Sequence, residues 1–418
     1  SNFLYFFGLK TPDMVGVVDV DSGTSTIYAD ELTMDDIIWM GHHPSVKEQA
    51  ESVGINTVAS INDLHDLLHK AVLSNRKVHF VNPYRKNIAE KLSVHLSVPM
   101  AKLAEMQSVE LIKAIVKQRS IKSNEEIEEI ESALLIAHQM HGVAMRMAKT
   151  GVYEYQIAGA MQGIAASHNG SMSFLPIVSI HGETLHNHNY NNMLHEGRML
   201  VVDAGAETYN HYCSDITRTT PVGGKFSKKQ KEIYEIVLKA NMATIETAKI
   251  GMPYRDCHIN ACKIIFDGLK ELGLTKGDTD EAVNQGAHAL FMPHGLGHFM
   301  GLDVHDMENL GENLFGYDDE IKRSSQFGLA YLRLGRKLEN GFVLTDEPGI
   351  YFIPALIDLW KSQDKFTSFI NYDKVEHYRD FGGIRIEDDL IITKDGAKVL
   401  GPKIPKTVEE IEAWCAKV

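Results

Sequence analysis

Helical and strand-like patterns alternate along the chain from about residue 120 onwards, and this alternation constrains the fold more than any other feature. Apolar residues recur at helical spacing near residues 154–168, 228–249 and 254–273. Strand-like runs interleave with them at 199–203, 212–218, 342–347 and 384–392. The glycine-rich fingerprint of a dinucleotide-binding sheet does not occur between them. The pattern therefore predicts an α+β fold rather than a doubly wound parallel sheet.

A helix start near residue 120 divides the sequence into two parts. Ser123 or Asn124 can cap a helix whose first turns carry four glutamates, where the helix dipole favours acids. Upstream, two β-branched runs around a glycine-containing turn at 21–23 predict a hairpin, and residues 78–81 predict a further strand.

We therefore expect a smaller α/β domain over residues 1–118 and a larger domain over residues 119–418. The chain opens in an apolar run without an initiator methionine. We expect that a natural N-terminal segment precedes it.

Composition limits the classes of function. The 418 residues include 42 basic and 56 acidic side chains, and the net charge of −14 would repel a nucleic-acid backbone. No apolar run reaches the roughly 18 residues that cross a bilayer, and the first five residues show neither the basic region nor the small-residue cleavage site typical of a signal peptide. The four cysteines lack paired spacing, which favours reduced thiols. We expect a cytoplasmic protein that binds neither nucleic acid nor membrane.

Two acids lie at neighbouring strand-like runs. The apolar run at 199–202 ends in Asp203, and the run at 212–218 contains Asp215. If these runs pair as a hairpin, the two carboxylates face each other, and a buried pair repels unless one is protonated or a cation lies between them. On this fragment alone, a turn acid and a salt-bridged acid remain the simpler explanation and a metal site is the alternative.

A histidine-rich segment follows at residues 293–306. It contains three histidines and two acids, namely His294, His298, Asp303, His305 and Asp306. His294 and His298 have the spacing of a zinc-binding helix, but Gly295 and Gly297 would each cost about 1 kcal/mol in a helix interior. A glycine-bent strand or loop would instead let the backbone approach a ligand closely. A lone histidine is usually structural, whereas this density favours a functional role.

Two glutamates lie at strand positions further along the chain. Glu347 ends the run at 342–347, and Pro348 biases its backbone towards an extended conformation. In the segment 382–390 the period of two places Arg385 and Glu387 on one face of a strand. An ordinary strand explains that segment alone. It does not explain why hairpin acids, a histidine-rich bend and two strand glutamates occur together.

These segments resemble a known family. The fragments DAGAE, SDITRT, HGLGHFMGLDVHD, TDEPGIYF and GGIRIEDD are similar to those of the dinuclear-metal "pita-bread" peptidases, which include methionine aminopeptidase, aminopeptidase P and prolidase. The resemblance covers about residues 120–418. It implies a pita-bread catalytic domain with a smaller N-terminal α/β domain of the creatinase/prolidase type. The stretch between Asp203 and Asp215 is one residue longer than the common family spacing, which we interpret as a hairpin insertion.

The resemblance implies two divalent metal ions. Carried over position by position, it makes five residues metal ligands: Asp203, Asp215, His298, Glu347 and Glu387. Their four carboxylates and a bridging hydroxide nearly balance the charge of two divalent ions. Mostly oxygen ligands with one imidazole suit Mn²⁺, with Co²⁺, Fe²⁺ or Zn²⁺ as alternatives. Such a pair of ions can acidify a bridging water and stabilise the oxyanion that forms.

The family also implies roles around the ions. Glu347 is expected both to bind metal and to carry a proton from water to the leaving imide nitrogen. His294 and His305 resemble histidines that contact the scissile carbonyl or the proline side, and His186 matches another pocket histidine. Arg385 is expected to orient a ligand acid.

The N-terminal domain and the complete ligand set favour the proline-specific branch of the family. The insertion between His305 and Glu347 contains Arg333, where prolidases place an arginine whose planar fork pairs with the free carboxylate of a dipeptide. The resemblance thus implies hydrolysis of the imide bond of Xaa-Pro dipeptides with release of proline. It also implies a homodimer in which Trp39 closes the pocket of a partner subunit.

Two alternatives stay open. Aminopeptidase P removes the residue before proline from longer peptides, and a relative without metal ligands would act only as a binding module. Intact residues at all five ligand positions oppose the binding module. Hydrolysis of organophosphorus esters by the same hydroxide is a side activity that the resemblance allows.

Overall fold

The computed structural model describes residues 2–416 and separates the chain into two units, Ser1–Ile115 and Val116–Val418. The division falls inside a helix, Val109–Arg119. Within the described residues, no helix is both long enough and apolar enough to cross a membrane.

The first unit contains a three-stranded sheet and short helices. Its elements are α1 (Asn2–Phe7), β1 (Val15–Asp19), β2 (Thr24–Tyr28), α2 (Met34–Met40), α3 (Val46–Ser52), β3 (Thr57–Ala59), α4 (Ile61–Leu73), α5 (Lys86–Leu96), the 3₁₀ turn Met100–Lys102, α6 (Leu103–Met106) and α7 (Val109–Arg119), which continues into the second unit. The predicted hairpin is confirmed, since β1 and β2 pair antiparallel. β3 adds to β2 in parallel.

The strand expected at residues 78–81 is wrong. This segment is irregular, and the Phe80 carbonyl accepts a hydrogen bond from the backbone N–H of Ser108 at 2.9 Å. His79 contacts the same serine, with 2.6 Å between Nδ1 and Oγ. Its β-favouring residues therefore pack against the start of α7 rather than against a strand.

The second unit mixes helices and short strands. Its helices are α8 (Asn124–Met147), α9 (Glu154–Ser167), α10 (Lys228–Thr247), α11 (Tyr254–Glu271), α12 (Thr279–Gln285), α13 (Glu312–Phe315), α14 (Pro354–Ser362), α15 (Tyr372–Val375) and α16 (Val408–Cys415). Its strands are β4 (Ser171–Met172), β5 (Ile177–Ser179), β6 (Met199–Ala204), β7 (Ala206–Glu207), β8 (Ile216–Pro221), β9 (Val343–Asp346), β10 (Gly349–Tyr351), β11 (Gly383–Arg385), β12 (Asp388–Thr393) and β13 (Gly396–Val399). The 3₁₀ turns are Ala287–Leu290, Glu308–Leu310, Leu329–Tyr331 and Glu376–Tyr378.

These strands form small antiparallel sheets. Two three-stranded sheets have the orders β5-β6-β8 and β13-β12-β9, and two pairs join β10 to β11 and β4 to β7. All of these pairings are antiparallel. Helices and antiparallel strands in one unit confirm the α+β prediction.

Helix α8 begins where the sequence predicts. The Ser123 hydroxyl accepts a hydrogen bond from the backbone N–H of Glu126, and the Glu126 carboxylate accepts one from that of Ser123, which completes a capping box. The buried face of α8 contributes to two apolar clusters, one with Leu200 and Val202 of β6 and one with Ile216 at the start of β8. Packed apolar side chains of α8 thus support strands β6 and β8.

Two of the predicted strand boundaries need correction. The run at 212–218 becomes a strand only from Ile216, and the run at 384–392 is two strands, β11 and β12, separated by Ile386 and Glu387. The second break has a clear cause, because the Glu387 N–H donates to the carbonyl of Thr217 in β8 at 3.0 Å. The chain therefore leaves one sheet partner and joins another at this glutamate.

Candidate metal centre

The first two acids lie at one end of the β6–β8 pair. Asp203 is opposite Thr217 in this pairing, and Asp215 directly precedes β8. Gly205 makes the approach possible, since a Cβ at this position would lie 1.7 Å from the Ser214 carbonyl oxygen. Both carboxylates are buried. The backbone N–H of Asp215 donates to Asp389 Oδ2 at 3.0 Å, which fixes its position.

The histidine-rich segment crosses beside β9 as a bent, extended chain. The backbone N–H of Thr345 donates to the carbonyl of His298 at 2.9 Å, and a Cβ on Gly297 would lie 2.1 Å from the Thr345 carbonyl oxygen. The expectation that the glycines prevent a helix here is confirmed. His298 Nδ1 lies 2.9 Å from the carbonyl oxygen of Phe299, which can only accept, so Nδ1 carries the proton.

This tautomer leaves Nε2 of His298 unprotonated and facing the acids. Nε2 lies 3.5 Å from Asp215 Oδ2 and 3.7 Å from Glu347 Oε1. A backbone carbonyl that holds Nδ1–H in this way is the usual support of a metal-binding imidazole. Burial lowers the pKa of His298 well below its usual value, which keeps the ring neutral.

The two glutamates complete the group from neighbouring strands. Glu347 follows β9, and its N–H donates to the Leu296 carbonyl at 2.8 Å. Glu387 lies between β11 and β12 and accepts a hydrogen bond from the Thr217 hydroxyl at 2.6 Å. One donor atom from each of Asp215, His298 and Glu387 lies within 4.8 Å of the other two. Glu347 adjoins this trio through His298.

The electrostatics of the cluster call for positive charge. Burial raises the pKa of Asp215 and of Glu387 well above their usual values, and neighbouring carboxylates raise them further. Burial likewise raises the pKa of Glu347 to about 7. Among residues 2–416, no hydrogen-bond partner reaches Oδ1 of Asp203 or Oδ1 of Asp215. Buried, unpaired carboxylate oxygens next to a neutral imidazole fit divalent cations.

Arg385 joins Asp203 to the rest of the group. Its Nη2 donates to Asp203 Oδ2 at 2.5 Å, and its Nε donates to the Thr217 hydroxyl at 3.1 Å. Because Thr217 also donates to Glu387, Arg385 and Glu387 share one face, as the period of two predicts. Unlike the solvated face of an ordinary strand, this face is buried.

His294 contacts a tyrosine that sequence reasoning missed. Its Nδ1 lies 2.7 Å from the Gly295 carbonyl oxygen and therefore carries the proton. Its Nε2 then accepts from the hydroxyl of Tyr351 at 3.0 Å, and that hydroxyl accepts from Arg385 Nη1 at 2.9 Å. In this arrangement His294 orients Tyr351, and it becomes a donor towards substrate only in another tautomer or when protonated.

His305 and Arg333 lie at the rim and meet at a glutamate. His305 stacks edgewise on His298, with 4.2 Å between ring centroids, and its Nδ1 donates to Glu308 Oε2 at 2.8 Å. The Arg333 guanidinium forms an ion pair with the same Glu308. Glu308 was not among the expected site residues.

Two further positions complete the comparison with the sequence. Burial lowers the pKa of His186 below its usual value, and Arg385 and His305 lower it further. His186 therefore lies near the candidate metal centre. Asp389, which holds the N–H of Asp215, was also missed. Its signal was present in the GGIRIEDD fragment, whose three consecutive acids exceed what one solvated strand face needs.

Comparisons with known proteins agree with this geometry. Residues 128–394 match the model of metallopeptidase family M24, and residues 1–80 match that of the aminopeptidase P N-terminal domain. The human Xaa-Pro dipeptidase is 33% identical over 426 residues, covering 100% of this chain and 84% of the relative. A probable Xaa-Pro aminopeptidase of Fusarium vanettenii is 35% identical over 415 residues, covering 98% of this chain and 86% of the relative.

A solved structure shows the same architecture. Aminopeptidase PepP of Pseudomonas aeruginosa superposes with a TM-score of 0.79 at 27% identity, covering 100% of this chain and 88% of that one. The fold is thus a pita-bread catalytic domain with a smaller N-terminal domain. Because a family model covers well over half of the sequence, the chain belongs to metallopeptidase family M24.

Proposed function

We propose that this chain is a Xaa-Pro dipeptidase, a hydrolase that cleaves the imide bond of a dipeptide ending in proline and releases free proline. The observation that carries the proposal is the convergence of Asp215, His298 and Glu387 with unpaired, buried carboxylate oxygens beside them. The full-length similarity to the human Xaa-Pro dipeptidase supports the substrate class.

We assign five residues as ligands of two divalent metal ions: Asp203, Asp215, His298, Glu347 and Glu387. We propose Mn²⁺ in preference to Co²⁺, Fe²⁺ or Zn²⁺. Oxygen donors with a single imidazole support Mn²⁺. Bound there, the ions acidify a water molecule and stabilise negative charge on the scissile carbonyl oxygen. Arg385 holds the second oxygen of Asp203 and so leaves Oδ1 free for an ion.

Glu347 is the residue of this chain that moves protons. Its side chain is about one-fifth exposed, the most accessible of the four acids whose oxygens meet at the centre. A carboxylate there accepts a proton from water and returns it to the leaving imide nitrogen. The Tyr351 hydroxyl is held by Arg385 and His294. His186, His294 and His305 line the substrate side.

Arg333 decides between dipeptides and longer peptides. Its guanidinium lies near enough to affect His298, His305 and Glu347 electrostatically. A guanidinium in this position can bind the free carboxylate of a C-terminal proline in two parallel hydrogen bonds. A longer peptide has no carboxylate at that point, so the same arginine disfavours it.

Aminopeptidase P remains the second candidate, and one contact favours it. Arg333 already pairs with Glu308, and Glu312 Oε1 lies 3.9 Å away. Glu308 and Glu312 thus already neutralise the positive charge of Arg333, which a substrate carboxylate would need for binding. If Glu308 keeps its ion pair with Arg333 when substrate binds, Arg333 is a structural residue and longer peptides are accepted.

The deciding experiment compares substrates on Mn²⁺-loaded wild type and on Arg333→Ala. We expect kcat/KM for Ala-Pro to fall about 30- to 1000-fold in the variant, equivalent to about 2–4 kcal/mol. The C-terminal amide of Ala-Pro should be a poor substrate for wild type and lose little more in the variant. Arg336, which pairs with Glu339 at 2.7 Å, provides the matched control, and Arg336→Ala should keep near-normal turnover.

Equal turnover of Ala-Pro, its amide and a tripeptide Ala-Pro-Ala by wild type would place the chain with the aminopeptidases P.

We further propose a cytoplasmic homodimer. Cysteine usage supports the compartment, and the exposed Trp39 in the first unit supports a subunit contact.

A further inference from the structure

A second group of metal-binding side chains shares no residue with the carboxylate centre. His258 and Cys262 lie four residues apart on α11 and therefore project from one face of that helix. His288 lies in the 3₁₀ turn Ala287–Leu290. One donor atom from each of the three lies within 4.8 Å of the other two, and all three side chains are buried.

Three of the four imidazole nitrogens in this group lack a hydrogen-bond partner among the described residues, whereas buried polar groups normally have one. Within the described part of the chain, neither ring nitrogen of His288 has a hydrogen bond of normal geometry, although burial lowers the pKa of His288 and the backbone of Val283 acts in the opposite direction. Nδ1 of His258 also lacks a partner there. Burial lowers the pKa of His258 to about 3 and that of His288 to about 4, so both rings are neutral and able to bind metal.

The three side chains line a cavity of about 90 Å³ that holds room for an ion and a water molecule. Asn284 and Gln326 also line it, and the exposed Asn284 marks a path from solvent. Among the described residues, no carboxylate lines this cavity. Sulfur and nitrogen donors without carboxylates select Zn²⁺ over Mn²⁺, Mg²⁺ or Ca²⁺.

We propose that His258, Cys262 and His288 bind one Zn²⁺ ion, separate from the dinuclear centre. The distance between Cys262 Sγ and His258 Nε2 is 3.5 Å. Zn–S and Zn–N bonds of normal length at a tetrahedral angle place sulfur and nitrogen about 3.5 Å apart. A donor nitrogen of His288 lies within 4.8 Å of the other two donor atoms, so His288 would complete the site by moving closer to them. Binding releases the thiol proton of Cys262.

Co²⁺ provides the probe, because a cobalt–thiolate bond gives a charge-transfer band in the near ultraviolet. The five residues assigned to the dinuclear centre include no sulfur, so this band reports on Cys262 whether or not the chain is a dipeptidase. Metal-free wild type is loaded with Mn²⁺ and titrated with Co²⁺. We expect the band to rise to the amplitude of one thiolate-bound Co²⁺ per chain and to disappear when Zn²⁺ is added.

Variants identify the ligands. Cys262→Ser and His288→Gln should each lose the band, whereas Cys257→Ser should keep it. Cys257 is the matched control, since it is buried on the same helix but contacts Met252. Far-ultraviolet circular dichroism checks folding, and Cys262→Ala replaces the serine variant if the hydroxyl is not tolerated.

Absence of the band in folded wild type at excess Co²⁺ would overturn the proposal, since the cavity would then hold only water. Persistence of the full band in Cys262→Ser would overturn it as well, because another cysteine would be the ligand. The wild-type titration decides the matter even if every variant at this site fails to fold.

Discussion

At the scale of single residues, the centre is organised around carboxylates that cannot all stay ionised without a cation. Burial raises the pKa of both Asp215 and Glu387. Of the four acids, Asp203 is the one that Arg385 binds directly, so one buried guanidinium does not compensate the charge of the whole group. If these acids bind the metal ions as we propose, each of them is expected to be indispensable for metal content.

We predict that Asp203→Asn and Glu387→Gln each abolish peptidase activity and reduce bound metal below two ions per chain. Each change removes a negative charge from a site that must balance four positive charges. Elemental analysis after gel filtration measures the metal, and Asp395→Asn in the exposed turn after β12 is the control. Two retained ions with full activity in either variant would contradict the ligand assignment.

Glu347→Gln separates proton transfer from metal binding. The amide keeps the shape of the side chain but cannot accept a proton, so kcat should fall by about 10²–10⁴-fold even in variant protein that retains metal. Steady-state kinetics with parallel metal analysis makes the comparison. A loss smaller than about tenfold in fully loaded protein would refute the shuttle role.

At the scale of elements, a buried ionic group attaches the histidine-rich segment to the end of α7 and to the connection between α7 and α8. Asp306 Oδ1 accepts from Arg119 at 2.5 Å, and Asp306 Oδ2 accepts from Lys122 Nζ at 2.9 Å. All three side chains are about 1% exposed. Asp306 lies one residue beyond His305, so the ionic group also fixes the backbone next to that histidine.

We predict that Asp306→Asn lowers the free energy of unfolding by about 3–5 kcal/mol, because the two buried cations lose the buried carboxylate that they share. Urea denaturation measures the loss. Asp303→Asn is the matched control, since Asp303 contacts the same Arg119 at 3.2 Å but is 39% exposed, and it should cost less than about 1 kcal/mol. Equal effects of the two variants would argue against the buried group.

The pH dependence of this group follows from its charges. Burial alone would raise the pKa of Asp306, but Lys122 and Arg119 outweigh burial and hold it below its usual value of 3.8. A carboxylate with a lowered pKa stabilises the fold above its unfolded pKa, and this contribution is lost as pH falls below about 4. The stability difference between wild type and Asp306→Asn should therefore narrow under acid conditions.

The elements also show what sequence could and could not predict. The hairpin of β1 and β2, the cap at Ser123 and the bent segment at Gly297 depend on local chemistry, and all three are confirmed. The break between β11 and β12 at Glu387 depends on Thr217, about 170 residues away in the sequence. The local periodicity of the sequence cannot predict such a distant contact. Tyr351 was missed for the same reason, because its partners His294 and Arg385 come close to it only by folding.

At the scale of the whole molecule, metal binding and folding are linked. The acids come from β6, from the residue before β8, and from the positions after β9 and β11, so they meet only when separate sheets are in place. The unfolded chain offers no such site. An ion that binds the folded state alone stabilises it according to its concentration relative to Kd.

We therefore predict that chelation lowers the Tm of wild type and that added Mn²⁺ restores it progressively. At 100 times Kd, one bound ion adds about 2.7 kcal/mol to the free energy of unfolding. In differential scanning calorimetry, the Tm of Glu387→Gln should shift much less with Mn²⁺ than the Tm of wild type. The metal-free Tm of the variant should equal or exceed that of metal-free wild type, because one buried carboxylate has been removed from a mutually repulsive group. A Tm that ignores Mn²⁺ would mean that the acids do not meet as a metal centre, whereas equal shifts in both proteins would place the stabilising ion elsewhere on the chain.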